Sequence, residues 1–134
     1  MSVKILIVDD DKAVQFFHKI TVTESKLSNE PLAFVDGQQA LNYLDLNFKE
    51  SDYYLVLLDI NMPVMDGWEF LRIVSEKPYA EHVFLAMVTS SVDKADKEKA
   101  IAYSQVIDFV EKPISFEQCN KLRLMSQIAE HMDN

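Results

Sequence analysis

Five short apolar runs, separated by helix-length segments, predict an α/β fold: a doubly wound, five-stranded parallel sheet with helices on both faces. The runs Val3–Val8 and Tyr54–Asp59 show no apolar–polar alternation, as expected of strands buried on both sides. Each run is followed by a turn or capping signal, and the 134 residues suffice for one domain without room for a second. Right-handed crossovers then make 2-1-3-4-5 the simplest strand order.

The first strand, Val3–Val8, runs into Asp9-Asp10-Asp11. Asp11 caps a helix predicted over Lys12–Lys26, with Ala13, Phe17, Ile20 and Leu27 at helical spacing on its inner side. Pro31–Val35 is a second short strand, and Asp36-Gly37 turns the chain into a helix with Ala40, Leu41, Leu44 and Phe48 on one face. The third strand, Tyr54–Asp59, is too short for a helix and is bounded by Pro63 and Gly67. Asp66 caps the next helix, which buries Phe70, Leu71 and Val74. His82–Thr89 forms the fourth strand. The lysine-rich segment Ser90–Tyr103 is a helix that buries little, only Val92, Ala95, Ala100 and Ile101. Val106–Val110 is the fifth strand and Lys112-Pro113 ends it. A closing helix over Ser115–His131 buries Cys119, Leu122, Met125, Ile128, Ala129 and Met132.

Acidic residues outnumber basic ones 22 to 13, for a net charge of -9. That balance argues against nucleic acid or an anionic membrane as a partner, because both reward a basic surface. It suits a cation site or a basic protein partner. Cys119 is the only cysteine, so no intramolecular disulfide can form and a reducing, cytoplasmic setting fits best. No stretch reaches membrane-spanning length, and Val3–Val8 is too short for a signal peptide.

In a sheet of this order, functional groups collect beyond the carboxyl ends of the strands, at the switch point between strands one and three. That point brings together Asp9, Asp10 and Asp59, with Thr89 arriving from strand four and Lys112 from strand five. Alone, Asp59 reads as a cap or turn acid, Thr89 as a strand residue and Lys112 as a surface lysine. Their shared place at the strand ends is what gives them a joint role. Each pair of carboxylates there repels by about 4 kcal/mol at ~4 Å and an effective dielectric near 20. Oxygen-only ligands favour Mg²⁺ as the relief, where zinc would want His or Cys. His18, His82 and His131 are scattered and read as structural or surface groups. A metal at the aspartates, the Lys112 ammonium and the Thr89 hydroxyl make a receptor for a tetrahedral dianion. They suffice for attack of a carboxylate on phosphorus.

The strings Ile5-Leu6-Ile7-Val8-Asp9-Asp10, Leu57-Leu58-Asp59-Ile60-Asn61-Met62-Pro63-Val64-Met65-Asp66-Gly67, Met87-Val88-Thr89-Ser90 and Phe109-Val110-Glu111-Lys112-Pro113 span nearly the whole chain. Together they resemble the receiver domain of two-component response regulators, in size and layout the stand-alone chemotaxis type, with its flavodoxin-like fold. The string from Asp59 to Gly67 is very specific; the others are individually weak. The resemblance implies that Asp59 accepts a phosphoryl group from a histidine kinase or histidine phosphotransfer protein. It implies Mg²⁺ held by Asp10, Asp59 and the Asn61 carbonyl, with Asp9 acting largely through water. Thr89 would hydrogen-bond the phosphoryl group, Lys112 would pair with it, and the Lys112–Pro113 bond would be cis, turning the lysine inward. Thr89 and Phe109 would form the switch, and Asn61 and Ser91 would tune the lifetime of the phosphoaspartate. Phe109 departs from the tyrosine frequent at its position, and lacks the hydroxyl that would bond the next loop.

With no output domain expected, the signal would leave by contact with a downstream protein or by onward phosphotransfer. The donor's phosphohistidine helix would dock at helix one, near Val14, Phe17 and His18. Two rival readings use the same residues. A Mg²⁺-dependent aspartyl phosphohydrolase would want an acid where Asn61 stands, and a cap region for which the chain has no length. A pseudo-receiver used only for binding would not need the intact acidic set. A flavin module would need a phosphate loop where Asp9-Asp10-Asp11 would repel one.

Overall fold

In the computed structural model, which describes residues 2–90 and 92–132, five parallel strands form one sheet. They are β1 Ser2–Val8, β2 Leu32–Phe34, β3 Asp52–Asp59, β4 Val83–Thr89 and β5 Val106–Glu111, in the order β2-β1-β3-β4-β5. The predicted fold class and strand order are those observed. Between and after the strands lie α1 Lys12–Glu24, α2 Gly37–Asn47, α3 Gly67–Ser75, α4 Lys94–Ile101, α5 Phe116–Leu124 and α6 Ser126–Ala129. No described helix is long and apolar enough to cross a membrane.

Successive strand side chains point to opposite faces, which divides the core in two. Leu6, Val8, Val56, Leu58, Leu85 and Met87 pack with Leu41 and Leu44 of α2 and Phe70, Leu71 and Val74 of α3. Ile5, Ile7, Leu55, Leu57, Ala86 and Val88 pack with Val22 of α1, Cys119 and Leu122 of α5 and Ile128 of α6. The central β3 is buried from Tyr54 to Asp59 on both faces, the reason its sequence does not alternate.

Helix starts are fixed by side chains that accept otherwise orphaned amides. Asp11, Asp36, Asp66 and Asp93 cap α1, α2, α3 and α4, and Ser115 with Gln118 forms a capping box on α5. At the amino end of the sheet, Tyr53 is stacked between His82 and His131, with ring centroids at 4.5 and 3.6 Å. Near the other end, Lys99 of α4 lies over the Trp68 ring of α3, 4.4 Å from its centroid.

Several details differ from expectation. The inner stripe of α1 is His18 and Val22, with Val14 and Gln15 half-buried, while Ala13, Phe17 and Ile20 face outward. The polar His18 and Gln15 are admitted because both are hydrogen-bonded inside. The helix also ends at Glu24, two residues early, before Lys26 takes a left-handed φ of 64°. In α4, Ala100 is buried but Ala95 and Ile101 are exposed. The closing helix is interrupted at Met125, whose ψ of 137° is extended, and Ala129 is exposed. His82 belongs to a 3₁₀ turn, Ala80–His82, and β4 begins after it.

Candidate functional site

Strand register brings the acidic residues together. Val8 stands opposite Leu58, so Asp9 and Asp59 leave neighbouring strands at the same level. Asp59 in turn is level with Val88, and Thr89 with Glu111, which places Lys112 one residue beyond. Carboxylate oxygens of Asp9, Asp10 and Asp59 all lie within 4.8 Å of one another. Asp9 and Asp59 are buried, at 2 % and 3 % exposure, and Asp10 opens the cluster to solvent.

The Lys112 ammonium reaches into this cluster, 2.7 Å from Asp9 Oδ2 and 3.3 Å from Asp59 Oδ2. Backbone amides hold the remaining oxygens: Asp11 N–H donates to Asp9 Oδ1 at 2.9 Å, and Asn61 N–H donates to Asp59 Oδ1 at 3.1 Å. Burial, then the charge of Asp9, push the Asp59 carboxyl above its ordinary range, against the pull of Lys112 and the Asn61 amide. Burial alone would lower the Lys112 ammonium. The Asp9 hydrogen bond and the charges of Asp59 and Asp9 outweigh it, so the lysine titrates higher than usual.

Three carboxylates against one ammonium leave an excess of negative charge at the cluster. The donors are all oxygens and the cluster is open on one side. That combination can hold a divalent cation of the hard, oxygen-seeking class.

The loop after β3 explains its own sequence. Gly67 N–H donates to the Ile60 carbonyl at 2.8 Å. A Cβ on Gly67 would come within 2.8 Å of both the Asp59 carbonyl oxygen and the Ile60 Cα, a clash with backbone that no rotamer relieves. Met62 and Met65 are buried anchors on either side of exposed Pro63 and Val64, so the loop is pinned by apolar contacts.

Thr89 is buried at 2 % exposure, and its carbonyl accepts the Lys112 N–H at 2.7 Å. Asn61 is exposed beside Asp59, and Phe109 is half-buried against the α2–α3 side of the core. The Lys112–Pro113 bond is cis. Ser91 lies outside the described residues. Sequence reading missed Gln15, whose amide donates to the carbonyls of Asp9 at 2.8 Å and Phe34 at 3.0 Å, tying the ends of β1 and β2. It read His18 as a structural or surface group near the exposed or half-buried side of helix one. The ring is buried at 2 % exposure.

A family model for the response regulator receiver domain matches residues 5–123. The chain belongs to that family. This receiver domain is 30 % identical over 117 residues to the response regulator PleD of Caulobacter vibrioides, which covers 85 % of it and 24 % of PleD. It therefore spans about a quarter of that protein's length. It is 28 % identical to a probable chemotaxis protein CheY of Rhizobium etli, covering 87 % of this chain and 86 % of that protein. Among solved structures, a two-component response regulator from Cytophaga hutchinsonii matches with a TM-score of 0.80 and 27 % identity, over 90 % of this chain and 93 % of that one. A receiver protein from Dyadobacter fermentans matches with a TM-score of 0.81 and 27 % identity, over 91 % and 95 %. The cluster of Asp9, Asp10 and Asp59 is of the kind typical of the receiver family's acidic pocket.

Proposed function

We propose that Asp59 is the phosphoryl acceptor, taking the group from the phosphohistidine of a histidine kinase or histidine phosphotransfer protein. The observation supporting this is the placement of one buried carboxylate oxygen, Asp59 Oδ2, 3.3 Å from a lysine ammonium and inside a cluster that is otherwise acidic. An Asp59 oxygen forms the new bond to phosphorus while the phosphorus–nitrogen bond breaks. The imidazole keeps that electron pair and leaves neutral, with one ring nitrogen protonated. Asp10, Asp59 and the Asn61 carbonyl would hold Mg²⁺, with Asp9 acting through water, and the metal would supply charge neutralisation. Lys112 pairs with one phosphoryl oxygen and the Thr89 hydroxyl donates to another. Asn61 and Ser91 would tune the lifetime of the phosphoaspartate.

The donor docks on α1, where Val14 is half-buried and Phe16, Phe17 and Ile20 form an exposed apolar strip at 67 %, 52 % and 42 % exposure. Movement of Thr89 toward the phosphoryl group would vacate space for Phe109, coupling the site to the face of α4 and β5. A groove of about 330 Å³ lined by Lys97, Ala100, Ile101 and Phe109, among others, lies on that face. It offers the contact through which a downstream protein would read the state.

Acetyl phosphate with Mg²⁺, followed by intact-mass spectrometry, tests the acceptor. The expected result is a gain of one phosphoryl group in the wild type that is absent in Asp59→Asn. No gain in the wild type would favour a binding-only pseudo-receiver and overturn this reading.

A further inference from the structure

The loop that delivers Lys112 can be read amide by amide. Lys112 N–H donates to the Thr89 carbonyl at 2.7 Å, which ties the loop to β4. Pro113 has no N–H. Ser115 N–H donates to Gln118 Oε1 at 2.8 Å, within the capping box of α5. The remaining amide, Ile114 N–H, donates across to α1, to Nε2 of His18 at 3.2 Å. Both partners are buried, His18 at 2 % and Ile114 at 1 % exposure. Accepting this bond requires a bare Nε2, which leaves the proton of the neutral ring on Nδ1. Burial lowers the proton affinity of the ring and keeps it neutral.

We propose that His18 is a positioning residue for Lys112. The inference rests on Lys112 acting on the phosphoryl group as set out above. Lys112 is held on one side by Thr89 and on the other, two residues along, by His18. A cavity of about 290 Å³ lined by Ala13, Val14, Phe17, His18, Lys112 and Pro113 adjoins the contact. The loop therefore has room to drift once the acceptor is gone, and a misplacement of about 1 Å in a reacting group can cost on the order of 10²-fold in rate.

The test compares rates of phosphorylation by acetyl phosphate with Mg²⁺ in wild type, His18→Leu and His18→Gln, well below the melting temperature of each. Glutamine offers Oε1 as an acceptor at a similar reach, and leucine offers none. His18→Leu is expected to react about tenfold more slowly and His18→Gln within about twofold of wild type. A histidine that only fills volume predicts equal rates for all folded variants, and that result would overturn the proposal. Long-range ¹H–¹⁵N NMR of the wild-type ring gives a second readout, independent of phosphorylation. The Nδ1-protonated tautomer is expected, and an Nε2-protonated ring would refute the contact. Should His18→Leu fail to fold, His18→Met, which fills similar volume and offers no nitrogen or oxygen acceptor, takes its place in the comparison, with the same slower rate expected and an equal rate overturning the proposal. A wild type that takes no phosphoryl group at all defeats the receiver chemistry instead, while the tautomer still judges the contact.

Discussion

His18 gives the site a pH dependence whose sign can be worked out. Burial holds its ring below the ordinary histidine value of 6.5. The nearby charge of Asp9 opposes this and that of Lys112 adds to it. As pH falls through 6.5, the unfolded chain takes up a proton on this ring while the folded chain does not, so the unfolded state binds more protons and stability drops. Protonation of Nε2 would also remove the acceptor for Ile114. The expected outcome is a urea midpoint that declines from about pH 7 to pH 5.5 in the wild type and declines less in His18→Gln. Equal slopes for the two proteins would show that this ring is not the group responsible.

Among the helices of eight or more residues, α4 buries the fewest side chains. It buries only Ala100 among its eight residues, and Lys99 rests against Trp68 of α3. Local opening is cheap where few apolar groups are buried. Amide exchange over 94–101 should therefore be faster than over α2 or α3, and beryllofluoride with Mg²⁺ should change it. An unchanged pattern over 92–111 would remove the proposed route from Asp59 to the α4–β5 face. The same contrast shows what could be seen in the sequence. The five strands and the Asp59–Gly67 loop were legible because their signals are dense: apolar runs, a proline, a glycine and a capping aspartate. The phase of α1 was not. Phe17 and Ile20 mimic an inner stripe, while the residues that turn inward, Gln15 and His18, are polar and earn their place through hydrogen bonds that hydropathy does not register. The interruption at Met125 carries neither glycine nor proline, so nothing local announced it. At the site, the grouping of Asp9, Asp10, Asp59, Thr89 and Lys112 followed from strand order, but the partners behind them followed only from geometry.

At the scale of the whole molecule, stability and function pull in different directions. A chain of net charge -9 concentrates three carboxylates at one end of its sheet, with one lysine among them. Asp59→Asn removes one of these charges while keeping an oxygen for the Asn61 amide. It is expected to raise the melting temperature by about 3–6 °C without metal, the equivalent of about 1 kcal/mol. Added Mg²⁺ should narrow the gap by stabilising the wild type more than the variant. A wild type that melts at the same temperature with and without Mg²⁺ would remove the electrostatic reason for a cation site. The contact between Lys99 and Trp68 has a separate practical consequence. The chain has one tryptophan, and a cation rests against its face, so its emission works as an unlabelled gauge of whether the two helices are together or apart.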